Sequence, residues 1–213
     1  MNHRSTSQRP AAVKTLMPVL AVLMLVVATG ARAQETAVAA DPAANPYGVR
    51  SVNAPPELDA FAFFIGKWEG VGKTRLPDGK VVEYPITWIG RYILDGTAIA
   101  DEGHGTDRDG TRVVGISFRQ YDRSRKGWVI EFLAEPNSQF FRQVRPGFGS
   151  VTVNGRNVTV INGGRSEAPS WGIIEHYQPA PDNDSWVYRL DESNDGGTSW
   201  NEGRTEIILR RSK

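Results

Sequence analysis

The sequence predicts an all-β fold, an antiparallel up-and-down barrel of about eight to ten strands preceded by a short N-terminal helical turn. Two observations favour this fold. Short stretches alternate apolar and polar residues, and Asn-Gly or Asp-Gly pairs, which suit tight hairpins, lie between them. No stretch of helical periodicity is long enough for the crossover that parallel strands require. We therefore expect consecutive strands to pair as a meander.

The composition fits a globular domain and excludes several kinds of chemistry. The chain has 213 residues, of which 39% are hydrophobic and 23% charged, and one domain is the first expectation at this length. The chain has no cysteine. This excludes disulfides, thiolate nucleophiles and metal sites built on cysteine.

Residues 1–33 have the pattern of a cleaved secretory signal. They begin basic and without acids, continue with an apolar run of 13 residues (16–28), and end in an Ala-Arg-Ala tripeptide. A membrane-spanning helix needs about 20 apolar residues, so an uncleaved anchor is the weaker alternative. We expect cleavage near Ala33-Gln34, a periplasmic or secreted protein, and no stable membrane span after cleavage.

The charge of the expected mature chain argues against nucleic acid as a partner. Removing the four basic residues of the signal leaves 21 basic against 24 acidic residues, a net charge of −3. No basic stripe remains to follow a phosphate backbone. The sequence leaves the oligomeric state open.

The expected mature chain begins with a leader and a helical turn. Residues 34–56 are rich in Ala, Pro and Asn without periodicity, which is typical of a flexible leader. The barrel domain is then expected over residues 57–213. Leu58, Phe61 and Phe64 recur at helical spacing and predict one or two turns of amphipathic helix.

Alternating residues predict the strands that follow. A hairpin centred on Asn154-Gly155 is the clearest case, because alternating valines flank it on both sides. The residues that share a strand face are Val82, Tyr84, Ile86 and Trp88; Trp128, Ile130 and Phe132; Val151 and Val153; Val158 and Val160; Trp171, Ile173 and Tyr177; and Trp186, Tyr188 and Leu190.

Four blocks of residues resemble the calycins, which include lipocalins and fatty-acid-binding-protein-like barrels. Phe64-Ile65-Gly66-Lys67-Trp68-Glu69-Gly70 is similar to their G-x-W opening. The other blocks are similar to a bacterial branch of lipocalin-like proteins: residues 88–99, residues 118–122 with Gly127-Trp128, and an S-x-D-G-G-x-x-W hairpin at 193–200. That branch has no established common activity, so the resemblance implies a calycin-like barrel and not a reaction.

Several residues of these blocks have expected structural roles. Gly66 allows a sharp turn into the first strand, and Trp68 is expected to plug the closed end. In similar barrels an arginine at a strand end covers such a tryptophan, so the resemblance implies Arg210 or Arg211 as its cation–π partner.

The hairpin at 193–200 also resembles the Asp-box of sialidases. There Asp195 would accept backbone N–H groups inside the turn and Trp200 would pack beneath it. Sialidase propellers carry several such boxes and this chain carries one. A structural staple is therefore the favoured interpretation.

No metal or other cofactor is expected. The expected mature chain has two histidines, His104 and His176, and neither lies in a spaced motif with other ligands. Some barrels similar to this one bind haem through a histidine near the C-terminus, and residues 201–213 contain none.

Glu175 and His104 are the candidates for acid–base catalysis. Glu175 shares a strand face with Ile173 and Tyr177. If that face is interior, burial raises the pKa of the carboxyl group and makes it a candidate general acid or base. If it is exterior, Glu175 is an ordinary surface residue, and alternation alone does not decide which face is inside.

Aromatic residues give the stronger signal. Trp88, Trp128, Phe141 and Tyr177 are expected to line an interior cavity that holds a small, largely apolar molecule, because a barrel of about ten strands is wider than its own side chains fill. An inward Arg142 would bind a carboxylate of that molecule. The alternative is a dry core made of the same aromatic residues, with Arg142 in solvent.

Three functions follow, in order of preference. The first is an exported lipocalin-like barrel that binds a small apolar ligand. The second is a cofactor-free isomerase, cyclase or hydrolase that uses Glu175 or His104 at the barrel mouth. The third is a cell-envelope interaction module with an exposed apolar patch on its outer surface.

Overall fold

A computed structural model describes residues 44–106, 112–134, 139–144, 149–165 and 168–213. The chain divides into two compact units, residues 1–38 and 39–213, and all described residues belong to the second. The predicted signal lies outside the described residues. No helix in the described part is long and apolar enough to cross a membrane.

The described residues form one 3-10 helix and eleven strands. The helix is Pro56–Phe64. The strands are β1 (Gly66–Arg75), β2 (Val81–Ile93), β3 (Ala98–Thr106), β4 (Arg112–Asp122), β5 (Gly127–Ala134), β6 (Gln139–Val144), β7 (Ser150–Asn154), β8 (Asn157–Arg165), β9 (Ala168–Pro179), β10 (Ser185–Ser193) and β11 (Asn201–Arg211).

These strands form one antiparallel sheet that is nearly closed into a barrel. Its order is β6-β5-β4-β3-β2-β1-β11-β10-β9-β8-β7, so the first strand pairs with the last. The edge strand β6 also comes close to β8. The predicted all-β up-and-down barrel with a short helical turn is confirmed, and the described residues contain eleven strands against the eight to ten expected.

The 3-10 helix fills one end of the barrel. Its side chains Leu58, Phe61 and Phe64 are fully buried. The Phe61 and Phe64 rings stack at 5.7 Å, and the Phe61 ring meets the edge of Trp128 on β5 at 4.8 Å. We call this the closed end of the barrel.

Trp68 on β1 completes the closed end. Its side chain is fully buried, and its Nε1 donates a hydrogen bond to the carbonyl of Phe64 at 2.8 Å. The guanidinium of Arg211 lies 4.1 Å above the ring. Of the two arginines that the resemblance implies, Arg211 is therefore the one that covers Trp68. It is the direct cross-strand partner of Trp68, whereas Arg210 points to the other face and is exposed.

Gly66 is required where the chain enters β1. Its φ is 125°, a conformation that favours glycine. A β-carbon there would lie 2.6 Å from Nη1 of Arg211. The turn and the cover over Trp68 therefore both depend on this glycine.

The hairpin between β10 and β11 is built around Asp195. Its Oδ1 accepts the backbone N–H of Ser199 at 2.9 Å and the hydroxyl of Ser193 at 2.8 Å. These hydrogen bonds, with that from the Ser199 hydroxyl first, lower the pKa of Asp195 to about 2. Trp200 is half-buried, with its ring near Gly172 and Gly197.

Within the predicted leader, residues 34–56, the described part makes backbone hydrogen bonds to the barrel. The carbonyl of Tyr47 accepts the N–H of Tyr92 at 2.9 Å. The N–H of Ser51 donates to the carbonyl of Gly96 at 3.0 Å. Such bonds have no signature in composition, so the sequence did not predict them.

Candidate functional site: the barrel interior

The interior of the barrel contains a filled part and a partly exposed part. The filled part holds the closed end, where large inward side chains are at most 1% exposed. Its members are Leu58, Phe61, Phe64, Trp68, Tyr177 and Trp186. In the other part, inward-facing Tyr84, Trp88 and Phe132 are only half-buried.

Glycines widen this second part. A β-carbon at Gly72 would lie 2.4 Å from the ring of Tyr84, its direct cross-strand partner. A β-carbon at Gly115 would lie 2.6 Å from the ring of Phe132. The two rings therefore lie flat against neighbouring strands instead of crossing the interior.

Two further glycines belong to the same wall. The atoms nearest to a β-carbon at Gly103 would belong to the ring of Trp88, at 3.5 Å, and those nearest to one at Gly105 would belong to Tyr84 and Ile86, at 3.5 Å or more. Gly103 is also the direct partner of Trp88. We call the part of the interior bounded by Gly72, Gly103, Gly105 and Gly115 the glycine-lined region.

A buried ion pair lies beside the filled part. Arg119 on β4 and Asp101 on β3 are 2% and 1% exposed at their side chains and form a salt bridge. The guanidinium of Arg119 also lies 4.5 Å from the ring of Phe64 and 5.2 Å from that of Phe61. The 3-10 helix thus covers a charge pair and shields it from water.

Glu175 on β9 is joined to this pair through the hydroxyl of Tyr177. Its Oε1 accepts hydrogen bonds from Tyr177 at 3.0 Å and from Tyr188 on β10 at 3.2 Å. Arg119 donates to the Tyr177 hydroxyl at 3.4 Å. Burial raises the pKa of Glu175, and the nearby charge of Arg119 opposes the rise. Glu175 shares its strand face with Tyr177, and both side chains are buried, so this face is interior.

Polar atoms near this network lack a partner within the described residues. They include Oε2 of Glu175, Oδ1 and Nδ2 of Asn162 on β8, Nε1 of Trp88, Nε of Arg119 and Nε1 of Trp186. Trp88 packs beside Tyr188 with a ring distance of 6.3 Å. Buried polar groups in folded proteins are almost always hydrogen bonded, so a water or a bound molecule can satisfy these atoms.

The predicted ligand-binding residues are distributed over both parts of the interior. Trp88 borders the glycine-lined region. Tyr177 lies in the filled part and Trp128 borders it, because Phe61 occupies the space beside both. The side chains of Phe141 and Arg142 lie outside the described part of the structure. The binding roles of these five residues stay predictions.

His104 is not part of the interior. Strand alternation places it on the outer face of β3, where its Nε2 lies 2.8 Å from Oε1 of Glu102. Of the two candidates for acid–base catalysis, Glu175 is therefore the one that lies in the interior. His176 is also on the outer face, 2.8 Å from Asp191.

The outer surface offers little for the interaction hypothesis. Among the exposed large hydrophobic residues of the described chain, Val71 and Ile208 are the two that are direct cross-strand neighbours. Single exposed apolar side chains are common on protein surfaces.

The sequence did not point to Arg119, Asp101 or Asn162. Each is a polar residue at an inward strand position. Asn162 does follow the inward valines Val158 and Val160 in strict alternation. That alternation is the available signal, and it competes with the Asn-Gly pair at 162–163, a dipeptide that favours a turn.

Fold and interior together define an up-and-down β-barrel with one closed end and a partly exposed interior. No family model and no curated protein sequence matches the chain. Among solved structures it is similar to Rv2717c from M. tuberculosis, at 16% identity and a TM-score of 0.50, over 76% of this chain and 100% of that one.

Two further structures are more distant. The S-type phycobiliprotein lyase CPES from Guillardia theta is 11% identical with a TM-score of 0.48, over 73% of this chain and 92% of the lyase. A de novo designed fluorescence-activating β-barrel is 19% identical with a TM-score of 0.37, over 72% and 98% of the two chains. At such identities the similarity to Rv2717c shows the barrel fold alone.

Proposed function

We propose that this protein is an exported, lipocalin-like barrel that binds a small, largely apolar molecule in the glycine-lined region. One observation carries the proposal: Tyr84, Trp88 and Phe132 face the interior and are nevertheless half-buried. Side chains of a fully packed barrel would be covered from all sides. Aromatic walls with few polar groups are typical of sites for small apolar ligands.

The remaining parts of the proposal rest on the sequence. Export is supported by the basic start, short apolar run and Ala-Arg-Ala ending of residues 1–33. Membership of the bacterial lipocalin-like branch is supported by the four blocks between residues 64 and 200.

Uptake of a neutral fluorescent probe tests the proposed site. We would titrate the full chain with N-phenyl-1-naphthylamine, whose emission rises in apolar surroundings. Gly103→Leu should abolish the rise, because the new side chain projects into the glycine-lined region. Gly163→Leu is the matched control, since a β-carbon there meets nothing within 4 Å and the residue is exposed.

The expected result is a saturable rise for the wild type and for Gly163→Leu, with the rise lost in Gly103→Leu. If the wild type gives no saturable rise, the proposed function is wrong. An equal rise in both variants would place the bound probe elsewhere on the molecule.

A further inference from the structure

Two buried polar side chains with unpartnered atoms are neighbours on adjacent strands. Asn162 is 1% exposed and Glu175 is 6% exposed. Glu175 pairs directly with Val160, so Asn162 lies on the diagonal from it, with the two β-carbons within about 8 Å. Both amide atoms of Asn162 and Oε2 of Glu175 lack a partner among the described residues. A single planar group of a ligand can reach both side chains.

The charges around Glu175 do not suit an anionic ligand. Arg119 from β4 is the cation that acts on Glu175, and it is already paired with Asp101 from β3. Tyr177 and Tyr188 face Glu175 as neutral hydroxyls, because burial raises the pKa of both phenols. A carboxylate entering here would meet a second carboxyl group instead of a free counter-ion.

The nearest side chains connect this pair of residues to the glycine-lined region. Leu190, the direct partner of Glu175 on β10, is half-buried. Trp88, also half-buried, packs beside Tyr188, which donates to Glu175. A ligand whose apolar body lies in the glycine-lined region therefore has its far end directed toward Glu175 and Asn162.

We propose that the interior takes a neutral ligand whose polar end is a carboxamide-type group, such as a primary amide or a lactam, and not a carboxylate. This inference rests on the proposed function. In its protonated form, which burial favours, Glu175 donates from Oε2 to the amide carbonyl, and Oδ1 of Asn162 accepts the amide N–H. An amide carries this acceptor and this donor side by side, so one group satisfies both residues.

Four probes with one skeleton test the inference: 2-naphthamide, 2-naphthoate, 2-naphthylmethylamine and 2-methylnaphthalene. Binding to the full chain is measured by equilibrium dialysis at pH 7, with the free probe quantified by absorbance. A well-placed hydrogen-bonded group in a buried site is worth about a factor of ten or more in affinity. We expect the amide to bind at least about tenfold tighter than each of the other three probes.

Variants separate the polar contact from the apolar site. Asn162→Leu removes both polar atoms at similar volume. It should lower the affinity for 2-naphthamide about tenfold and leave the affinity for 2-methylnaphthalene unchanged. Glu175→Gln keeps an acceptor for the tyrosines and a donor for the ligand, so it should keep the preference for the amide. Asn157→Leu, an exposed position on the same strand, is the control and should change nothing.

The outcomes distinguish this inference from the proposed function. If 2-methylnaphthalene binds as tightly as the amide, or if the carboxylate or amine binds tightest, the inference is overturned and the proposed function stands. Retention of the amide preference in Asn162→Leu also overturns the inference. If none of the four probes binds, the proposed function fails and the inference fails with it.

Discussion

The buried pair of Arg119 and Asp101 gives the sharpest prediction about how the interior is held together. Arg119→Met keeps a long side chain against Phe64 but leaves Asp101, which is 1% exposed at its side chain, as a charge without a partner. Breaking a buried pair in this way costs about 3–5 kcal/mol. We therefore expect the free energy of unfolding to fall by about this amount at pH 7.

A double variant separates the effect of the unpaired charge on Asp101 from the effect of the lost packing of Arg119. Arg119→Met combined with Asp101→Val replaces the pair by apolar side chains, which is often neutral for stability or favourable by about 1–4 kcal/mol. The double variant should therefore be more stable than Arg119→Met alone. Urea titrations followed by tryptophan fluorescence give both values, provided that the slope with urea is unchanged.

Two results would refute this reasoning. A loss below about 1 kcal/mol in Arg119→Met is typical of a solvent-exposed pair and would contradict the burial of Arg119 and Asp101. A double variant no more stable than the single one would show that the loss comes from the packing of Arg119 on the aromatic rings.

Three further predictions concern Glu175, Asp195 and Gly66. Burial raises the folded-state pKa of Glu175 above its ordinary value of 4.5. The stability of the wild type relative to Glu175→Gln should therefore fall as the pH rises from 4.5 through that higher pKa. Urea titrations from pH 4 to 8 measure this difference in stability, and a difference that stays constant with pH would contradict the prediction. The pKa of Asp195 is lowered from 3.8 to about 2, so its contribution to stability is complete above pH 3.8 and is lost as the pH falls through 2. Asp195→Ala should therefore lower the Tm at pH 7 and lower it less at pH 2.5. Equal shifts of the Tm at the two pH values would contradict the role of the Asp195 hydrogen bonds in the turn. Gly66→Ala places an alanine at a φ of 125° and in contact with Arg211, and should lower the free energy of unfolding by about 1–3 kcal/mol. Gly79→Ala is the control, because its β-carbon meets nothing within 4 Å, and it should lower the free energy of unfolding by about 1 kcal/mol. Equal losses of stability in the two variants would contradict the crowding at Gly66.

The fold could be predicted because its signals are local. Hairpin dipeptides and alternating residues specify an antiparallel meander, and the spacing of Leu58, Phe61 and Phe64 specifies the helix that fills the closed end. Trp68 could be placed at that end by its position in the opening block. Which arginine covers it depends on the register between β1 and β11, and that pairing joins residues far apart in the sequence.

The polar part of the interior could be predicted only in part. Glu175 was a candidate because it shares a face with Tyr177, but the identity of that face depends on how the whole barrel closes. Arg119 and Asp101 have no local pattern that marks them as inward, because charged residues on alternating positions usually face solvent. Their pairing arises from the contact of β3 with β4 beneath the helix.

A native mass spectrum of the protein, purified unheated from its natural source, tests the central claim most directly. The account predicts an adduct of a few hundred daltons on the wild type that is absent from Gly103→Leu and present in Gly163→Leu. A clean mass for the wild type, together with no uptake of N-phenyl-1-naphthylamine, would contradict a small-molecule site in the glycine-lined region.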